Sequence, residues 1–319
     1  KRAVPIAVGA KSFFRGSTWR RIVRHRTLYL LFLPAALFII IFNYAPMVGL
    51  LIAFQEYIPA DGIFGSEFIG FKNFYSILFS PQSASYLEFR NTIYISLIRI
   101  ATNFPIILIF TLLINEIKIK RIKTWVQAIS YIPFFISWVS VGGMAYNLLK
   151  LDGGIFNQII EAFGGTGFDW YAKPDYWWGI LAMSSLWKGM GWATLIYVSA
   201  LGSIDTELYD ACEIDGGGRF RKMFSVTLPG LMNMIMLQLI LDIGSIMSDN
   251  YDQVMAMTNQ ASALYDKTQL VSSLEFSALG SGSGHSAATA YGLLRGVLGL
   301  ILVLLANKMA KNSDSQGII

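Results

Sequence analysis

Four charged residues interrupt long apolar runs of the 319-residue chain: Arg99, Lys188, Arg295 and Asp242. A charge at the centre of a membrane helix costs about 2.5–3.5 kcal/mol on insertion scales, so such groups face a polar cavity or one another. At 1.5 Å per residue from the ends of their runs they lie roughly 10–20 Å deep and can occupy one layer. Two readings stand side by side: the four pair among themselves, or the surplus of three cations over one acid lines a pathway suited to an anionic cargo. Asp242 requires a cation or a polar chain in either case, because an unpaired buried charge is costly. Covalent chemistry has no support. The sequence holds no Gly-x-x-x-x-Gly-Lys-Ser/Thr phosphate loop and no nucleophile with a base at membrane depth. The single Cys212 excludes an intrachain disulfide, and His25 and His285 are too far apart in sequence to suggest a His/Cys metal site.

A second group of residues sits in a charged, Gly-rich stretch from Asp210 to Pro229, between two long apolar runs. Its charges place it in water at a membrane face. Asp205 can cap a short helix beginning near Thr206, Gly216, Gly217 and Gly218 end it, and Pro229 enters the next helix. The expected result is a short helix over 206–216 lying along the membrane. It can be a docking element or a plain connector.

Composition defines the elements that carry these residues. The chain is 54% hydrophobic and 14% charged, against roughly 25% charged in soluble domains, which predicts a polytopic all-α membrane protein. Runs near 28–54, 91–117, 125–149, 176–201, 224–247 and 287–306 each supply the roughly 20 residues needed to cross the hydrocarbon core, giving six expected spans. The first run is too long for a signal-peptide core and lacks a small-residue cleavage site, so it should stay as a helix. Residues 1–26 carry eight Lys or Arg and no acid. Trp19, Ile22 and Val23 among the arginines suit an amphipathic helix on anionic lipid; nucleic-acid binding is the rival for such a run, set aside because a span follows at once.

The remaining basic residues divide by side. One set comprises Lys118, Lys120, Arg121 and Lys123, then Arg219, Arg221 and Lys222 in the 202–223 loop, then Lys308 and Lys311; the alternate set is only Lys72, Arg90, Lys150, Lys173 and Lys267. The positive-inside rule therefore makes both termini and the 202–223 loop cytoplasmic, with segments 55–90, 150–175 and 248–286 outside. The expected organisation is a basic segment 1–26, a transmembrane domain 27–308 and a tail 309–319. Trp170, Tyr171, Tyr176, Trp177 and Trp178 are expected to form an interfacial belt in preference to a sugar-stacking platform. Gly280 to Gly284 reads as a flexible connector.

The 210–229 stretch resembles a loop found in permease subunits of bacterial ABC importers: Glu-Ala-Ala, three residues, Gly, nine residues, Ile, any residue, Leu-Pro. Asp210, Ala211 and Cys212 stand for Glu-Ala-Ala, Gly216 has the spacing, and Val226, Leu228 and Pro229 close the pattern. Asp for Glu, Cys for Ala and Val for Ile are conservative departures that bear on the fit of the loop. The resemblance implies a coupling helix seated in a cleft of an ATPase subunit, with Asp210, Ala211, Cys212, Glu213, Asp215 and Gly216 at the contact. Asn43 to Gln55, Phe68 to Phe74 and Asn91-Thr92 are similar to the carbohydrate class of these permeases, related to the maltose importer. Tyr131-Ile132-Pro133, Asp152-Gly153-Gly154, Trp187-Lys188-Gly189 and Leu304 to Lys308 are similar to an oligosaccharide and polysaccharide subgroup that includes alginate-importer permeases.

What the resemblance implies is a type I importer permease fold in a bacterial inner membrane, with a non-catalytic role. The implied partners are a second, different permease, two ATPase subunits that hold ATP and Mg, and an extracytoplasmic solute-binding protein; this chain would bind no cofactor. The alternative is a secondary transporter or channel working without an ATPase. That class tends to show an internal repeat with unwound spans, and no repeat is visible here.

Overall fold

The computed structural model describes residues 24–80, 85–248, 250–280 and 284–312. The expected amphipathic helix around Trp19 to Val23, the end of the tail and the middle of the Gly280–Gly284 run lie outside the described residues. The regular structure among the described residues is helical apart from a two-residue antiparallel pairing, Gln55 with Phe68 and Glu56 with Glu67.

The first helix, α1 (Arg26–Phe54), is 29 residues long. It is followed by α2 (Lys72–Phe79), α3 (Ser85–Asn115), α4 (Lys120–Phe135), α5 (Trp138–Leu149), α6 (Ile155–Ala162) and α7 (Trp177–Leu201). Then come α8 (Thr206–Ile214), α9 (Arg219–Gly230), α10 (Met232–Met247), α11 (Tyr251–Thr258), α12 (Val271–Gly280) and α13 (His285–Asn312). Three helices are long and apolar enough to cross a membrane alone, α1, α3 and α13, and two bent pairs, α4 with α5 and α9 with α10, pass together. The run expected at 176–201 is α7, which has the length but is not among those apolar helices; Trp177, Trp178, Trp187 and Trp192 with its glycines lower its hydropathy.

The expected span 125–149 is not one straight helix. Its halves meet at 96°. Pro133 lies in a closing 3-10 turn, Ile136 becomes extended, and the Ser137 hydroxyl caps α5 by accepting from the Ser140 N–H at 3.2 Å, so a new helix direction starts there. The run 224–247 bends by 58° where Pro229 and Gly230 precede Leu231, whose N–H reaches the carbonyls of Thr227 and Leu228.

The body is built on α3 packed along α7, with α10 and α12 against α13 and α11 against α5. Apolar side chains close it in two main clusters. Val141, Leu149, Trp177, Leu181, Met257 and Leu270 form one; Ile107, Leu112, Leu186, Tyr197, Leu231 and Ile235 form the other, nearer α8 and α9. Helices without a hydrophobic drive between them associate through small residues that let backbones approach. A Cβ on Gly142 would lie 2.2 Å from the Ala256 carbonyl oxygen, and one on Gly191 would lie 2.1 Å from that of Ser130. Gly142→Leu is therefore expected to lower stability by about 1–3 kcal/mol, the usual cost of overpacking. Gly143→Leu, where nothing lies within 4 Å of the added carbon, serves as the control; equal thermal unfolding of the two purified variants would refute the close-approach account.

The aromatic cluster after 170 turns inward more than a lipid-facing belt would. Trp177 is fully buried and donates its indole N–H to the Trp170 carbonyl at 2.8 Å. Trp178 donates to the Lys267 carbonyl at 2.7 Å and stacks on Tyr94. Tyr171 donates to the Met257 carbonyl at 3.2 Å, and burial pushes its hydroxyl up to about 12, so it stays a donor. These rings fasten the 150–176 and 248–286 segments to the helix ends. For Trp177, Trp178 and Tyr171 the expectation of a lipid-facing belt is corrected, because their N–H and O–H groups donate to backbone carbonyls inside the protein; Tyr176 stays 53% exposed.

Candidate functional site

Local capping chemistry shapes the loop from Asp205 to Pro229. Asp205 is extended and its carboxylate accepts from the Glu207 N–H at 3.0 Å, starting α8 as expected. At the other end Gly216 has φ +75°, the Gly216 N–H bonds the Glu213 carbonyl at 2.9 Å, and the Gly217 N–H bonds that of Cys212 at 2.8 Å. That is a Schellman ending. The helix proper is Thr206–Ile214, and Asp215 and Gly216 form its turn. Gly217 is needed for room as well, since a Cβ there would lie 2.5 Å from the Cys212 sulfur.

The expectation that Pro229 opens the next helix is corrected. Gly218 precedes α9, which already begins at Arg219. Pro229 offers no N–H to continue the ladder, and the helix relaxes into a π segment over Met223–Thr227 in which the Leu228 N–H reaches back to the Met223 carbonyl.

Two contacts hold α8 against α9: the Tyr209 and Thr227 hydroxyls bond at 3.1 Å, and Glu213 pairs with Lys222. The hydrogen bond and charge of Lys222 hold the Glu213 carboxyl below its ordinary value. A lowered carboxylate pKa means that the pairing contributes above the unfolded value and is lost as pH falls through the folded one, so the pair is intact at neutral pH. Asp210, Ala211, Glu213, Asp215 and Gly216 are all exposed, with Cys212 half-buried. Beside them Ile214 is 86% and Phe220 76% exposed.

The intramembrane charges do not share one cavity. Arg99 and Asp242 line a single cavity of about 320 Å³ between α3, α7 and α10, together with Asn103, Tyr197, Gln238 and Ser245. Gln238 donates to the Asp242 carboxylate at 3.0 Å, and Arg99 reaches the Ser245 hydroxyl at 3.5 Å. The Tyr197 hydroxyl is enclosed there without a hydrogen-bond partner among the described residues. Lys188 is turned away: its ammonium donates to the Phe134 carbonyl at 2.6 Å and lies over the Phe134 and Trp138 rings, at the break between α4 and α5. Arg295 donates from Nη1 to both carboxylate oxygens of Glu275 at 3.0 Å, and from Nε to the Met247 carbonyl at 2.9 Å. Neither Lys188 nor Arg295 lines the cavity.

Residues 89–311 match the family described as binding-protein-dependent transport system inner membrane component. The chain belongs to that family. Similar proteins include the polygalacturonan/rhamnogalacturonan transport system permease protein YteP of Bacillus subtilis, 34% identical over 298 residues that span 93% of this chain and 92% of the relative. Protein LplB of the same organism is 34% identical over 323 residues, 100% of this chain and 98% of the relative. A solved bacterial alginate ABC transporter, in complex with an alginate pentasaccharide-bound periplasmic protein, contains a chain that superposes with a TM-score of 0.84 at 28% identity, covering 95% of this chain and 100% of that one.

This permease is thus a multi-pass inner-membrane protein. Counting charges by run missed Glu275, because it falls in a segment assigned outside the membrane; its position within the apolar turn Leu274-Glu275-Phe276 was the available signal. Tyr197, Asn103 and Gln238 were missed because single polar residues in apolar runs are common. Asp242→Asn in this permease keeps the shape but removes the charge facing Arg99, and should lower stability by about 1–3 kcal/mol. Unchanged yield and melting of that variant would mean that Asp242 is simply solvated.

Proposed function

We propose that this permease forms one half of the translocation pathway of an ATP-driven importer of oligosaccharides or polysaccharides, with an anionic cargo of the alginate or polygalacturonan kind. The cavity carries this reading. It joins the Arg99 guanidinium, the Asp242 carboxylate, the amides of Asn103, Gln238 and Asn250 and the Tyr197 hydroxyl in one polar space, a set of donors and acceptors suited to the carboxylate and hydroxyl groups of a uronate sugar. The names of the relatives support the same class of cargo.

The full arrangement we infer is six spans with both termini cytoplasmic, supported by the Lys and Arg distribution and by the 25-residue length of α7. The coupling contact is α8, through Asp210, Ala211, Cys212, Glu213, Asp215 and Gly216. The partners are a second, different permease, two ATPase subunits that bind ATP and Mg, and an extracytoplasmic solute-binding protein. This chain would then hydrolyse nothing itself.

Copurification tests the reading. Tagged permease expressed with its candidate partners should bring down an ATPase subunit and a second permease, and vesicles holding the assembly should hydrolyse ATP faster when solute-binding protein and an acidic oligosaccharide are added. Uptake by the purified chain alone, without ATP, would overturn it in favour of a secondary transporter.

A further inference from the structure

Four cations fall within six residues at the start of α4, Lys118, Lys120, Arg121 and Lys123, and no acid occurs from 117 to 151. Lys118, Lys120 and Arg121 are exposed, and none of the four forms an ion pair among the described residues. For the helix this arrangement is unfavourable. Like charges repel across one turn, and the first turn of a helix carries partial positive charge that favours acids. Here that turn has no acid, and Ile119 supplies no side-chain cap. The cations lack a counter-charge that the protein itself does not provide.

Beyond them the exposed side of α4 is apolar. Ile122, Trp125 and Ile129 are 48%, 68% and 61% exposed, and their spacing of three and four residues puts them on one stripe. Lys123, Gln127 and Ser130, on the other side, are half-buried, and α7 comes so close there that a Cβ on Gly191 would lie 2.1 Å from the Ser130 carbonyl oxygen. The stripe therefore faces away from α7. The far end of α4 is fixed near the middle of α7, where Lys188 donates to the Phe134 carbonyl. From Phe134 back to Lys120 is about 20 Å at 1.5 Å per residue, enough to cross one leaflet obliquely. The cations end up beside α8: after the larger effect of Lys222, Lys118 also helps to lower the Glu213 carboxyl.

We infer that this end of α4 holds an anionic phospholipid of the cytoplasmic leaflet, its phosphate on Lys118, Lys120 and Arg121 and its acyl chains along Ile122, Trp125 and Ile129. The leaflet rests on the topology inferred above. The phosphate supplies the missing counter-charge, and a guanidinium can give it two parallel N–H bonds. Trp125 stands between the cations and the deeper Ile129, the level that an indole prefers in a bilayer. Charge complementarity selects this occupant over a neutral lipid. An acidic face of an ATPase subunit would also meet the cations, but it would leave a stripe of Ile and Trp running into the leaflet with nothing to cover it.

The test compares two lipids at one position. The permease, assembled with its partners, is placed in phosphatidylcholine vesicles that carry a trace of either phosphatidylglycerol or phosphatidylcholine with a diazirine on one acyl chain. After irradiation the label is mapped by peptide. On 119–132 the wild type should take up about tenfold more label from phosphatidylglycerol than from phosphatidylcholine, and the preference should shrink as salt is raised. The half of α1 that ends at Phe54 should be labelled alike by both. Arg121→Gln should reduce the preference by about two- to fivefold, and Lys118→Gln/Lys120→Gln/Arg121→Gln should abolish it; the single variant carries the test if the triple one fails to assemble. Equal labelling of wild type by the two lipids, or a preference that these variants keep, would overturn the assignment. So would an Arg121→Cys variant that crosslinks to the ATPase subunit while 119–132 shows no preference for phosphatidylglycerol. Modification of Lys120→Cys, in a Cys212→Ala background, by an impermeant thiol reagent from the outer face would overturn the topology and the leaflet with it. The labelling uses neither ATP nor cargo, so the lipid site and the importer reading fail separately.

Discussion

Gly216→Val, and more so Gly216→Pro, is expected to leave membrane insertion and assembly intact while reducing transport and substrate-stimulated ATP hydrolysis by about tenfold or more. Gly216 has φ +75°, a conformation in which a Cβ costs about 1–2 kcal/mol and which proline cannot adopt at all. Proline also removes the N–H that bonds the Glu213 carbonyl. Either change undoes the Schellman ending and re-aims α8, which presents Asp210, Ala211 and Ile214 to solvent. The damage stays local, because nothing lies within 4 Å of a Cβ built on Gly216. Gly218→Ala is the control, since Gly218 is extended with open space around it and precedes α9 without needing a left-handed backbone. The readout is ATPase activity of reconstituted vesicles with and without loaded solute-binding protein. Wild-type stimulation in both Gly216 variants would remove α8 as the coupling contact. A cysteine scan of the ATPase surface against Cys212 gives an independent check, and no crosslink anywhere in the scan would count against the contact.

The ends of α8 were legible in the sequence because capping is decided within five or six residues: an Asp before the helix and a Gly after it specify both hydrogen bonds that terminate it. Pro229 misled for a related reason. A proline reads as a helix start, yet here the preceding turn widens to a π segment, which no local pattern announces. The break between α4 and α5 shows a different limit. Pro133 and Ser137 were visible, but hydrophobicity stays high across the break, and an apolar run does not report that its halves meet at 96°. The family resemblance and the broad class were legible because the loop motif and the share of apolar residues do not depend on tertiary contacts. Charge pairing does depend on them. Arg295 finds Glu275 from a different helix, and Lys188 finds a backbone carbonyl freed by the helix break, neither of which a count of charges in the spans can see.

That sorting of the cations changes what their replacement should do. The sequence alone treated Arg99, Lys188 and Arg295 as one group, either paired or lining a pathway; their contacts separate them. Arg99 lines the polar cavity with Asp242, Asn103 and Tyr197, so Arg99→Gln should reduce uptake of an anionic oligosaccharide by about tenfold or more, the scale of one charge-assisted hydrogen bond, and change uptake of a neutral one much less. Arg295 is held by Glu275 and the Met247 carbonyl. Arg295→Met removes the cation from that partly buried carboxylate between α12 and α13, and losing one partner of a charged hydrogen bond costs about 1.5–3 kcal/mol. Its expected result is a loss of assembly and of uptake for both cargos alike, with Arg295→Met/Glu275→Leu recovering much of the yield because the stranded charge is then gone. Lys188→Met removes the cation over Phe134 and Trp138 and the hydrogen bond that closes the end of α4, which should loosen the break between α4 and α5 without discriminating between cargos. Uptake of paired charged and neutral oligosaccharides by vesicles of each variant separates these outcomes. If Arg99→Gln lowers both cargos equally while Arg295→Met assembles normally and loses only the anionic one, the assignment of roles is reversed, and the path of the cargo runs along α13 instead of between α3, α7 and α10.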